Sequence, residues 1–125
     1  MNRILIKILH IRIIVIICRH HIHNTLADIV QIPLQRQDSY HTFYAYVIQC
    51  PDGTRNQLEN FLKQNGIQTR ISWPMGVHMT QAYGVYCLDS LPKTENATKN
   101  ILSLPCYHTL RDQDHVIQKV KEYYG

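Results

Sequence analysis

Apolar and polar positions change rhythm at several points along this chain, and each change predicts an element. Residues 29–34 are a short apolar segment, closed by Pro33 and the polar run Gln35-Arg36-Gln37-Asp38. Residues 42–48 are rich in aromatic and β-branched side chains, as strands are, and Pro51-Asp52-Gly53 supplies a turn after them. Thr54 then opens a helix, with Thr54 and Gln57 spaced as a capping box. Leu58, Phe61 and Leu62 share one helical face, and Asn65-Gly66 offers the left-handed residue that ends the helix. Alternation from Ile67 to Trp73 predicts a half-buried strand, stopped by Pro74. Residues 75–91 read as a loop with a short helix near 79–83. A second helix is expected over about 92–102, with Pro92 in its first turn, Ala97, Ile101 and Leu102 inward, and Pro105 beyond its end. A last helix over about 112–124 repeats apolar residues at Val116, Ile117, Val120, Tyr123 and Tyr124, the spacing of a core-packed face. The expected fold is α/β in two layers: a small, mostly antiparallel sheet covered by two or three helices.

Before residue 25 the pattern is of another kind. Residues 1–24 mix isoleucine with Arg3, Lys7, Arg12 and Arg19, and apolar residues fall on both faces without clean alternation. The longest uncharged apolar run, 13–18, is far short of the ~20 residues a spanning helix needs. Arg12 interrupts any export-signal core, and no small-x-small cleavage site follows before the histidines. Residues 1–24 are therefore read as an atypical Ile/His-rich leader, non-native or disordered, and residues 25–125 as the domain.

Composition then narrows the function classes. With 45% hydrophobic and 18% charged residues, the chain of 125 residues is an ordinary globular domain. The net charge of +4 arises in the leader; from Thr25 onward basic and acidic side chains balance, nine against nine. That removes the footprint expected for nucleic acid. Cys18, Cys50, Cys87 and Cys106 lie far apart and form no C-x-x-C pair, as free thiols do in a reducing, cytoplasmic compartment. His10, Cys18, His20, His21 and His23 are metal-ligand types bunched in one segment without a second spaced pair, so no metal site is assigned.

Three stretches, in order, carry a resemblance. His41-Thr42-Phe43-Tyr44-Ala45-Tyr46-Val47-Ile48 comes first. Asn65-Gly66-Ile67-Gln68-Thr69-Arg70-Ile71-Ser72-Trp73-Pro74-Met75-Gly76-Val77-His78 follows, with Gln81 and Tyr83 after it. Ile101-Leu102-Ser103-Leu104-Pro105-Cys106-Tyr107 is third, with Leu110, Asp112 and Val116-Ile117 beyond. Their order and spacing over 25–125 resemble the C-terminal small domain of the DegT/DnrJ/StrS family of pyridoxal-phosphate (PLP) sugar aminotransferases. Two positions depart from that pattern. Gly76 stands where the family often has a second proline, and Arg111 stands where a Thr or Ser usually caps the last helix, which leaves Asp112 to substitute.

The resemblance implies an intact enzyme that passes the amino group of glutamate through PLP onto a nucleotide-linked keto sugar. It implies a small domain that closes one side of the cleft, a large domain that holds the cofactor, and a homodimer that completes the site. The lysine of the family's Schiff base belongs to that large domain, and none of Lys7, Lys63, Lys93, Lys99, Lys119 or Lys121 lies in its context. No catalytic, cofactor-binding or metal residue is carried over. The expectation is a truncated remnant of such an enzyme, inactive alone. The rival is a stand-alone module that binds or senses a nucleotide-sugar without catalysis; a membrane-anchored protein using residues 1–18 is disfavoured.

Candidate substrate-binding residues fall in the loop after the second strand. The Arg70 guanidinium suits a diphosphate or the glutamate carboxylate, or else is a solvated strand residue. Ser72 shares its face in an ideal strand, with Trp73 on the other. Trp73 either stacks on a base or sugar or anchors packing beside Pro74. His78 either bonds the sugar near the cofactor or is a structural histidine.

Overall fold

The computed structural model describes residues 22–34, 36–39, 41, 44–86, 89–106 and 112–125. Its centre is a two-stranded antiparallel sheet of β1 (Tyr46–Gln49) and β2 (Ile101–Leu104), with Tyr46 opposite Leu104 and Gln49 opposite Ile101. Isolated antiparallel bridges widen it on both sides, Gln31 to Gln49 and Arg70 to Ser103. Alternation sorts the two faces. Tyr46, Ile48, Leu102 and Leu104 enter the core, while Val47 and Gln49 stay half-exposed.

Two helices cover the core face. α1 (Arg55–Gln64) buries Leu58 and Leu62, and α3 (Gln113–Tyr124) buries Val116, Ile117 and Val120 in the same cluster. Full burial of such side chains contributes about 1.5–3 kcal/mol each. The end of α3 is tied back to the start of α1. Phe61 and Tyr123 rings lie 5.5 Å apart, the Tyr123 hydroxyl donates to Gln57 Oε1 at 3.1 Å, and Tyr124 Oη meets Thr54 Oγ1 at 3.0 Å. Between them, α2 (Pro92–Asn100) leads straight into β2.

Residues 22–26 are also helical, and Ile22, Leu26 and Val30 belong to the core cluster. The packed unit thus begins upstream of the composition break at residue 24. The rest of the expected leader, residues 1–21, lies outside the described residues.

Several elements differ from the sequence expectation, each for a local reason. The second helix stops at Asn100, two residues early, because the next four residues complete a strand. Asn100 makes the switch: its carbonyl accepts from Cys50 N–H at 2.9 Å, and its amide donates to Asp52 Oδ1 at 2.6 Å and to Asn96. Ile101 and Leu102 therefore pair with β1 instead of lining a helix. The first strand is shorter than 42–48 and starts at Tyr46; Tyr44 is 97% exposed, and 42–43 lie outside the described residues. No capping box forms, since Thr54 Oγ1 donates to the Pro51 carbonyl at 2.7 Å. Residues 67–72 keep the alternation in burial, Trp73 breaks it at 59% exposed, and the stretch makes only the bridge at Arg70. The short helix lies earlier than 79–83, as a 3-10 turn at Val77–Met79. Gly66 does take the left-handed conformation, at φ 76°, and Asp112 does cap α3, accepting from His115 N–H at 2.9 Å.

Candidate functional site

A groove of about 770 Å³ runs along the sheet edge where Arg70 bridges Ser103. Arg70 N–H donates to the Ser103 carbonyl at 3.0 Å and Ser103 N–H to the Arg70 carbonyl at 2.9 Å. A pair bonded both ways places both side chains on one face, and Ser72, two residues on, shares it. Ser72 Oγ and Ser103 Oγ are 3.5 Å apart. Among the described residues no hydrogen bond or ion pair engages the Arg70 guanidinium. One cation beside two hydroxyls suits an anionic group such as a phosphate or carboxylate.

The far wall is more occupied. Asp112 lines the groove with its carboxylate turned to the His115 N–H, and His115 Nε2–H donates to the Asn65 carbonyl at 3.1 Å. Both groups hold the start of α3 in place. PLP requires a lysine for covalent attachment, and no lysine lines this groove. Lys119 is paired with Glu122 at 2.8 Å, and Lys63, Lys93, Lys99 and Lys121 are exposed elsewhere. The residues of the groove do not fit the cofactor's anchoring, and no step is derived through it.

The four sequence-derived candidates do not form one cluster. Arg70 and Ser72 line the groove; Trp73 and His78 do not. Trp73 is 59% exposed, and Met75, Val77, Met79, Tyr83, Val85 and Tyr86 further along the same stretch are exposed as well. His78 turns the other way: its side chain is 11% exposed, and its Nε2 lies 3.3 Å from Glu95 Oε1 on α2. Glu95 Oε1 also accepts from Leu91 N–H at 2.9 Å. That bond, and then the one to His78, holds the carboxyl below the usual range. Sequence reasoning missed Ser103 as a site residue, although it lies in the third stretch that carries the resemblance. It missed Glu95 as well, since nothing local links residues 78 and 95.

The described residues contain no group of three or more His, Cys, Asp or Glu placed to hold a metal ion. His10, Cys18, His20 and His21 of the histidine cluster lie outside them. No helix among the described residues is long and apolar enough to cross a membrane. Cys50 is a buried free thiol and Cys106 a half-buried one, while Cys18 and Cys87 lie outside the described residues.

Comparison with known proteins gives one answer. The sequence model of the DegT/DnrJ/EryC1/StrS aminotransferase family matches residues 18–121. A pleiotropic regulatory protein of Geobacillus stearothermophilus is 33% identical over 107 residues, covering 82% of this chain and 28% of that protein. A dTDP-3-amino-3,4,6-trideoxy-alpha-D-glucose transaminase of Micromonospora megalomicea is 34% identical over 99 residues, covering 74% of this chain and 26% of that one. Among solved structures, S. venezuelae DesV in complex with a ketimine intermediate superposes with a TM-score of 0.84 at 25% identity, over 95% of this chain and 34% of DesV. A DegT DnrJ EryC1 StrS aminotransferase from Brucella abortus gives 0.83 at 25% identity, over 92% of this chain and 31% of that chain. The chain thus spans about a third or less of the length of these relatives. With the antiparallel sheet, α1, most of α3 and the Arg70 edge inside the matched region, the chain belongs to the DegT/DnrJ/EryC1/StrS aminotransferase family.

Proposed function

We propose that this chain is the small, cleft-closing domain of a PLP-dependent nucleotide-sugar aminotransferase, inactive without the large domain that anchors the cofactor. The observation that carries the reading is the groove: it offers a cation and two hydroxyls to an anion but no lysine. Relatives described as dTDP-amino-sugar transaminases, and a structural neighbour described with bound cofactor PMP, support that substrate and cofactor class. In this reading Arg70, with Ser72 and Ser103, contacts the diphosphate of the nucleotide-sugar or the carboxylate of the glutamate donor. Trp73 and its apolar neighbours face the large domain or the second subunit, and the protein works in the cytoplasm. Polysaccharide biosynthesis is the setting that such amino sugars serve.

A second reading has one observation behind it: the 33%-identical relative is described as a regulatory protein. A stand-alone nucleotide-sugar sensor would use the same Arg70 groove without chemistry. One experiment separates the two. The purified full chain is mixed with PLP, glutamate and a dTDP-keto sugar, and both turnover and borohydride-reducible lysine adducts are measured. The proposal expects neither, with dTDP binding weak and abolished by Arg70→Ala. Turnover, or an adduct on one particular lysine, contradicts it; tight dTDP binding by a monomer moves the assignment to the sensor.

A further inference from the structure

We propose that His78, Glu95 and Gly76 form a latch that fixes the exposed apolar arm, residues 73–79, at a set angle on α2, with His78 as a positioning residue that does not touch substrate. The arm is an unusual stretch to hold still. Trp73, Met75, Val77 and Met79 are all about half-exposed or more, so their own packing does little to fix them. His78 is the exception, with a side chain only 11% exposed. It reaches Glu95 Oε1 at 3.3 Å, and that oxygen is itself pinned by Leu91 N–H at 2.9 Å. The acceptor is therefore preorganised by the start of α2 before His78 arrives.

Gly76 is the seat. It is buried, and a Cβ built there would lie 2.5 Å from His78 Cε1, 2.7 Å from His78 Nδ1 and 3.3 Å from Thr94 Cγ2. The imidazole rests on bare backbone between the arm and α2, and any other residue at 76 displaces it. The turn that bears His78 is stiff enough to transmit the constraint. Met79 N–H donates to the Gly76 carbonyl at 2.9 Å, Thr80 N–H to the Val77 carbonyl at 3.1 Å, and Thr80 Oγ1 to the same carbonyl at 2.7 Å. Charge around the latch is sparse. Residues 73–86 carry no Asp, Glu, Lys or Arg, and their other titratable groups are the phenols of Tyr83 and Tyr86. From α2 and the turn before it come Asp89, Lys93, Glu95 and Lys99, of which Lys99 acts on Glu95.

The latch concerns how the arm is held, not what it docks against, so it stands or falls separately from the function proposed above. The chain's one tryptophan is Trp73, which makes the arm its own reporter. Acrylamide quenching and anisotropy of Trp73 are measured in the full chain and in His78→Ala, His78→Gln, Glu95→Gln, Gly76→Ala and the His78→Ala/Glu95→Gln double variant. Far-ultraviolet circular dichroism follows the core. The latch predicts more quenching and lower anisotropy in His78→Ala and Gly76→Ala with the core unchanged, partial recovery in His78→Gln, which keeps an N–H donor, and no further change in the double variant. An unchanged Trp73 signal in both His78→Ala and Gly76→Ala, or fully additive effects in the double variant, overturns the proposal. Global unfolding of His78→Ala also overturns it, because a latch outside the core cannot be needed for the core to fold.

Discussion

The sheet–helix core and the arm at 73–86 are built from similar residue types and treat them in opposite ways. In the core, Tyr46, Ile48, Leu58, Leu62, Leu102 and Val120 are fully buried. In the arm, Trp73, Val77, Tyr83, Val85 and Tyr86 are 51–83% exposed. The difference teaches that the domain satisfies its own core and then displays a second apolar surface that its own fold does not cover. Large apolar side chains left exposed in such number along one stretch point to a contact site. In the proposed function, an interdomain contact, which typically buries roughly 600–1,500 Å², is what would cover these residues.

The comparison breaks first under mutation of large side chains. Leu62→Ala should cost about 2–5 kcal/mol of unfolding free energy, because it empties a fully packed site. Trp73→Ser should change stability by no more than about 0.5 kcal/mol, as surface substitutions do. Urea denaturation of both variants measures the contrast; equal losses would place Trp73 in the core and erase the distinction.

A smaller effect probes how the core reaches the groove. Asp112→Ala removes the cap of α3 and should cost about 1 kcal/mol, with Asp112→Asn close to neutral. The same thermal or urea curves read it. A neutral alanine variant would mean that the bond to His115 N–H does not hold the groove's far wall.

The smallest effect sits at the arm's attachment. Glu95 has its folded pKa lowered, mainly by the Leu91 N–H and then by His78. Its contribution is therefore fully present above the unfolded value of about 4.3 and is lost as pH falls through the lower folded value. Glu95→Gln should therefore lower stability near neutrality, where the contribution is present, and converge with the unmutated chain as pH falls, so that its acidic limb is flatter. A difference that appears only as pH falls below the unfolded value would contradict the sign.

Much of this was legible in the sequence, and the exceptions share a cause. Helical periodicity located α1 and α3, and the Asn65-Gly66 stop and the Asp112 cap held because each is decided within a few residues. The end of α2 was misplaced because Ile101 and Leu102 fit a helix face locally, and only pairing with Ile48 and Gln49, some fifty residues away, makes them a strand. Thr54 looked like a capping-box residue, but Pro51 and Tyr124 compete for its hydroxyl. In the site, the Arg70 and Ser72 face followed from alternation. His78 did not, since its partner is 17 residues away on another element. The composition break at residue 24 also hid the core role of Ile22.

The central claim is that the arm is a surface made to be covered. Sedimentation velocity of the unmutated full chain tests it most directly, run across the micromolar range beside Trp73→Ser/Val77→Ser. The account predicts that the unmutated chain self-associates with concentration and that the double variant does so less. A clean monomer at every concentration would show that the domain tolerates its exposed arm in water, and the stand-alone sensor would then describe the protein better than a cleft-closing domain does.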